Sequence, residues 1–133
     1  MQVQVDAARD DDSADILRIV DQHNLPVAWA WTPGSFGTVA RFEGRVVAFL
    51  AMHETPFGLI VDELWQEKSR AGFAGLGALA EWVEEVARRI AKERNEAISV
   101  GGICMDANTA HRAALERRGY AQVASVLSRR FEP

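Results

Sequence analysis

GFAGLGALAEWVEEVARR, residues Gly72 to Arg89, sets three glycines at GxxGxG spacing where an amphipathic helix opens. Leu76, Leu79, Val83, Val86 and Ile90 recur at helical spacing and form its apolar stripe, with Trp82 at the edge. Glycine inside a helix costs about 1 kcal/mol relative to alanine, so three near its start need a reason. Glycine removes a side chain where something must approach the backbone closely. The first N–H groups of a helix lack intrahelical partners, and the helix dipole makes that end positive. A glycine-rich turn entering a helix is therefore a candidate anion site, typically for phosphate or pyrophosphate. A loop that happens to hold glycine, or a cluster serving only helix packing, reads equally from these residues alone.

Working upstream, FGLIVDELWQ reads as a strand whose end carries Asp62 and Glu63, and EKSRAGFAG as a loop leading into the helix. FGTVARFEGRVVAFLAMHE reads as a hairpin turning at Glu43-Gly44, with Val46 to Met52 apolar enough for a central strand. MQVQVDAAR opens the chain as a strand. In DDDSADILRIVDQHN, Asp12 or Ser13 can cap a helix with Ile16, Ile19, Val20 and His23 on one face. PVAWAWTPGS, with Trp29 and Trp31, reads as a short irregular or helical segment and a loop; the tryptophans close the core or line a pocket.

Downstream, AISVGGICM reads as a buried strand, its Gly101-Gly102 pair marking a bulge or a close backbone approach. NTAHRAALERR reads as a helix capped by Asp106 or Asn108 and ended by Gly119. YAQVASVLSRRF supplies one or two closing strands. Glu84 with Arg88, and Glu85 with Arg89, are expected as i,i+4 pairs on a solvated helix face. The order β-α-(α)-β-β-β-α-β-α-β implies a crossover in a mixed sheet within one domain spanning residues 1–133. The expected class is α/β or α+β, with six to seven strands and about four helices on both faces.

Composition narrows the function classes. The chain has 133 residues, 48% apolar and 26% charged, with a net charge of -4. That is a globular composition without a basic footprint, so nucleic acid is not an expected partner. The polar N-terminus and the absence of a long apolar run predict a cytoplasmic protein with no membrane partner. The one cysteine, Cys104, reads as a small buried hydrophobe in a reducing compartment. His23, His53 and His111 lack metal-ligand spacing, so no metal is expected. There is no GxGxxG, GK[ST] or GxSxG motif.

Taken together, the element order, GFAGLGALAEWVEEVARR and NTAHRAALERRGY resemble the GNAT superfamily of N-acyltransferases over essentially the whole chain. In that family a turn of the form [Q/R]xxGx[G/A] holds the pyrophosphate of acetyl-CoA on backbone N–H groups. Gly75-Leu76-Gly77 match its last three positions, while Gly72 stands where Gln or Arg is usual; Arg70 lies two residues earlier. The later Asn108 and Arg118-Gly119-Tyr120 match the family's Asn and its hydrophobic or basic residue, Gly and aromatic. Leu115 occupies the position where members often carry a tyrosine as general acid.

The resemblance implies an acyl-CoA-dependent N-acyltransferase, probed first with acetyl-CoA. Its partners would be the acyl-CoA and an amine-bearing small molecule or peptide, and family members often dimerise. Arg70, Ala71, Gly72, Phe73, Ala74, Gly75, Leu76 and Gly77 would form the pyrophosphate turn. Leu64, Trp65 and Gln66 would offer backbone N–H groups to the thioester carbonyl, and Asn108 would contact the pantetheine arm or cap the last helix. A protonated amine must lose its proton before attack, and Glu63 is the first candidate base, Asp62 the second. Strict strand alternation would place these two on opposite faces. Direct attack needs no covalent intermediate, so Cys104 is not required. A domain that has lost catalysis and serves as a binding or structural module is the alternative, favoured by Gly72 and Leu115. An unrelated α/β domain is the third.

Overall fold

Glu43 and Gly44 both have positive φ, 50° and 81°. That sign pattern suits a two-residue hairpin turn matched to the twist of its strands. The computed structural model describes residues 1–25, 37–56, 58–102, 104, 109–123, 129 and 131–133. Its elements are β1 (Gln4–Ala7), a 3-10 turn (Asp10–Asp12), α1 (Ser13–Gln22), β2 (Thr38–Phe42), β3 (Arg45–Thr55), β4 (Gly58–Gln66), α2 (Arg70–Arg94), β5 (Ser99–Gly102) and α3 (Thr109–Arg117).

The strands form one sheet in the order β1-β2-β3-β4-β5. The first three pairings are antiparallel, and β4 pairs with β5 in parallel across the α2 crossover. The mixed α/β sheet with helices on both faces is thus present. Two apolar clusters lie on its two sides. Ile16, Ile19 and Val20 of α1 pack with Val39, Val46, Phe49, Ala51 and Trp65. Leu76, Leu79 and Val83 of α2 pack with Ala40, Val47, Ala48, Leu50, Leu59, Val61 and Leu64. The α2 stripe read from the sequence faces the sheet, with Val86 and Ile90 partly buried beside it. Among the described residues no helix is long and apolar enough to cross a membrane.

Several expectations need correcting. Arg70 is already helical, so the three glycines lie inside α2 and not in a turn before it. The Ser69 cap supplies a start signal one turn upstream of the glycines. The expected buried strand AISVGGICM is a four-residue strand, Ser99–Gly102, with exposed ends. Close approach at its glycines is present: a Cβ on Gly102 would lie 3.0 Å from the Val61 carbonyl oxygen. Asp12 precedes α1 without a side-chain cap bond. It accepts from Arg9 N at 2.8 Å and from Arg41 Nη1 and Nη2 at 2.6 and 2.7 Å. Arg88 bonds Glu85 at 2.6 Å, and Glu84 bonds Arg118 at 2.6 Å, which replaces the expected helix pairs.

Among the described residues there are five strands and three α-helices, against six to seven and about four expected. Trp29, Trp31, Asp106, Asn108 and half of the closing segment, residues 124–128 and 130, lie outside the described residues, and Tyr120 to Val123 are not in a strand.

Candidate functional site

β4 holds the carboxylates, and a break in its register decides where they point. Ala51 pairs with Glu63 but Met52 pairs with Val61, so Asp62 is an extra residue in β4. A β-bulge of this kind places two residues opposite one and re-aims side chains. Val61 and Leu64 both pack on the α2 side of the sheet. Asp62 and Glu63, between them, therefore share the α1 side. The expected division of the two carboxylates between opposite faces is wrong, because alternation fails at the bulge.

Glu63 is half-buried and accepts a hydrogen bond from Trp65 Nε1 at 2.7 Å. Burial pushes its carboxyl above the usual glutamate range; the Trp65 N–H pulls the other way, and the Asp62 charge adds to the rise. Trp65 is 4% exposed and its ring lies tilted against that of His23, with 4.7 Å between centroids. His23 Nε2 in turn bonds the Gln66 carbonyl oxygen at 2.7 Å, and burial lowers its basicity. His23 is thus a structural residue pinning α1 to the end of β4. Asp62 is exposed and bonds His53 Nδ1 of β3 at 2.7 Å.

The pairing of β4 changes at the same place. β5 partners Gly58 to Val61 only, whereas β3 partners β4 as far as Gln66. From Asp62 onward, β4 has no β5 partner among the described residues. Leu64, Trp65 and Gln66 pair with Leu50, Phe49 and Ala48. In an antiparallel ladder successive N–H groups point to alternate sides, so only every second one faces the open side.

At the start of α2, Ser69 Oγ accepts from Gly72 N at 3.0 Å, and Phe73 N bonds Ser69 O at 3.0 Å. The N–H groups of Arg70 and Ala71 have no partner among the described residues; Arg70 is exposed and Ala71 buried. Ser69 Oγ also donates to Glu67 Oε2. Glu67, 6% exposed, further accepts from Arg18 Nη1 at 2.5 Å and Arg45 Nη2 at 3.1 Å. Burial alone would raise its pKa, but Arg45, Ser69 and Arg18 overcome this and hold it at about 2.

Each glycine of the opening motif has its own surroundings. A Cβ on Gly72 would collide with the Glu67 carbonyl oxygen. One on Gly75 would lie 3.0 Å from Val47 Cγ2 and 3.2 Å from both Ala40 Cβ and Ala48 Cβ. One on Gly77 would meet nothing within 4 Å. Gly75 therefore seats the helix against the sheet. Phe73 is 50% exposed, Ala74 is half-buried and Leu76 belongs to the core. Asn108 lies outside the described residues. Leu115 sits in α3, and Gly119, with φ +92°, ends that helix before the half-buried Tyr120.

Sequence reading missed His53, Glu67 and Ser69. The S-x-x-G spacing in front of the helix was a usable cap signal for Ser69. Nothing local marks Glu67, whose partners Arg18 and Arg45 lie 49 and 22 residues away.

No protein-family model matches this chain, and no curated protein matches it in sequence. Solved structures do match. The ribosomal-protein-alanine N-acetyltransferase from Brucella melitensis biovar Abortus 2308 is similar at TM-score 0.62 and 16% identity, over 98% of this chain and 100% of that one. A GNAT family acetyltransferase from Staphylococcus aureus is similar at TM-score 0.61 and 10% identity, over 98% and 100%. The diaminobutyrate acetyltransferase from Paenibacillus lautus, in complex with L-2,4-diaminobutyric acid and coenzyme A, is similar at TM-score 0.62 and 12% identity, over 88% and 74%. The chain has the GNAT fold.

Proposed function

We propose that this chain is an acyl-CoA-dependent N-acyltransferase, with acetyl-CoA as donor, that passes the acyl group directly to an amine. The observation behind the reading is the bulge in β4. It sets Asp62 and Glu63 on one face at the point beyond which β4 has no β5 partner among the described residues, one short connection before the start of α2. The diaminobutyrate enzyme of the same fold, seen with an amine substrate and coenzyme A, supports it.

The residues at the start of α2 fit a diphosphate. Two N–H groups, of Arg70 and Ala71, have no partner among the described residues at the positive end of a 25-residue helix, beside an exposed arginine. The contact point is thus the first turn of α2, with Gly75 serving the packing of the helix on the sheet. The edge of β4 from Asp62 to Gln66, without a β5 partner among the described residues, suits the pantetheine arm, with Asn108 as a further contact. When bound, the donor supplies the thioester to be attacked. Two carboxylates on one face draw a cationic amine toward that edge, where it must lose a proton before attack. Alternate N–H groups among Leu64, Trp65 and Gln66 polarise the carbonyl under attack.

A catalytically inactive binding module is the second reading. It is favoured by the Ser69 cap, which takes the Gly72 N–H for the protein itself, and by Leu115. Calorimetric titration with acetyl-CoA separates the outcomes. Micromolar binding weakened at least tenfold in Arg70→Glu, an exposed change, supports the donor site. Binding without turnover selects the module, and no binding removes both.

A further inference from the structure

The reading above leaves open which atom receives the amine proton. Glu63 Oε2 is engaged by the Trp65 N–H, and Asp62 Oδ2 by His53. His53 stands on β3 between Met52, which packs toward the α2 side, and Glu54, so alternation places it on the face of Asp62 and Glu63. Its side chain is 55% exposed, and its Nε2 has no partner among the described residues.

An ionised carboxylate only accepts hydrogen bonds, so Asp62 requires the proton of neutral His53 to sit on Nδ1. That leaves the lone pair on Nε2, on the face that His53 shares with Glu63. A third group that orients a base through its far nitrogen is the arrangement general-base histidines use.

We propose that His53 is the general base of the acyl transfer. Asp62 is its positioning residue, and Glu63 the carboxylate that holds the incoming ammonium. The proposal rests on the acyltransferase reading. His53 Nε2 takes one proton from the ammonium. The freed amine nitrogen forms a bond to the acyl carbon, the carbon–sulfur bond breaks, and the thiol sulfur leaves with that electron pair. The second amine proton is lost as the amide forms and balances the thiolate. An imidazole is nearer in proton affinity to an ammonium than an ordinary carboxylate is, so it is the better acceptor. The titratable groups of β4 and α1 nearest to it on this face are Asp62, Glu63 and His23; Asp6, Asp12, Asp15, Arg18 and Arg41 lie on the same face but are tied to one another, to Glu67 or to the backbone of Ala7 and Val46. Glu67 with Arg18 and Arg45 lies at the far end of β4, about 16 Å along the strand.

Two measurements on the full chain test this. Nitrogen-15 NMR of the His53 imidazole reads the tautomer without any ligand. Nδ1–H is expected in the wild type and a mixture in Asp62→Asn; Nε2–H in the wild type overturns the proposal. Steady-state transfer from acetyl-CoA to a diamine is then followed against pH. In His53→Gln, kcat should fall about 100-fold, with unchanged acetyl-CoA affinity and melting temperature and an altered dependence of kcat on pH. A fall under threefold in His53→Gln, with activity abolished in Glu63→Gln, makes Glu63 the base and overturns it. A wild type that binds acetyl-CoA but transfers to no amine overturns the enzymatic reading itself, whatever the tautomer.

Discussion

Alanine at each glycine of the α2 motif gives three different results if the glycines are helical. All three lie inside Arg70–Arg94, and none is among the positive-φ glycines of the described residues, Gly44, Gly58 and Gly119. At Gly77 the added methyl meets nothing within 4 Å. The change then gains helix propensity alone, about 0.5–1 kcal/mol of stability. At Gly75 the same gain is set against contacts of 3.0, 3.2 and 3.2 Å with Val47, Ala40 and Ala48. Overpacking of this kind costs about 1–3 kcal/mol, which leaves a net loss of about 0–2 kcal/mol. At Gly72 the methyl runs into the Glu67 carbonyl. That backbone is tied down by the Glu67 N–H to Val47 O at 2.7 Å and by the carboxylate's own partners. It cannot yield, so the loss is about 2 kcal/mol or more. Urea unfolding of the three variants measures this, and melting temperatures should follow at about 3–5 °C per kcal/mol. Stability should fall in the order Gly77→Ala, Gly75→Ala, Gly72→Ala, with the first above wild type. A Gly77→Ala protein destabilised by more than about 1 kcal/mol would refute the reasoning, because it would mean a left-handed loop conformation there.

Glu67 ties stability to pH. Its folded pKa of about 2 lies below its ordinary 4.5, so its stabilisation is present above pH 4.5 and lost as pH falls toward 2. The gap corresponds to about 3 kcal/mol, and Glu67→Gln should remove that acid-dependent component from urea titrations between those limits; a variant retaining it contradicts the network. Asp12→Ala leaves the buried Arg41 without the partner at 2.6 Å and should cost about 3–5 kcal/mol in urea unfolding, a loss under about 1 kcal/mol refuting the clamp. Trp65→Phe removes the donor that favours ionised Glu63, so carbon-13 NMR should show Glu63 titrating still higher; an unchanged or lower value contradicts the hydrogen bond.

Much of the frame was legible because it follows from local rules. The α2 stripe from Leu76 to Ile90 obeys helical periodicity, and Glu43-Gly44 combines residues that tolerate positive φ with flanking apolar runs. The glycines were ambiguous for a physical reason. Lacking a Cβ serves a sheet packed close, as at Gly75, as well as a ligand held close, and only the position of the Ser69 cap distinguishes the two. The bulge at Asp62 was not legible, since a single inserted residue leaves no mark in an apolar pattern that is already nearly continuous. It moved one carboxylate across the sheet and paired it with His53, a residue nine positions away that periodicity alone cannot connect to it. The Glu67 cluster is long-range and was invisible for the same reason.

The most direct measurement is the release of free thiol from acetyl-CoA by the purified chain in the presence of a panel of monoamines and diamines. Amine-dependent release, lost in Glu63→Gln, is the expected result. No release above spontaneous hydrolysis with any amine would contradict an acyltransferase built on the bulge of β4.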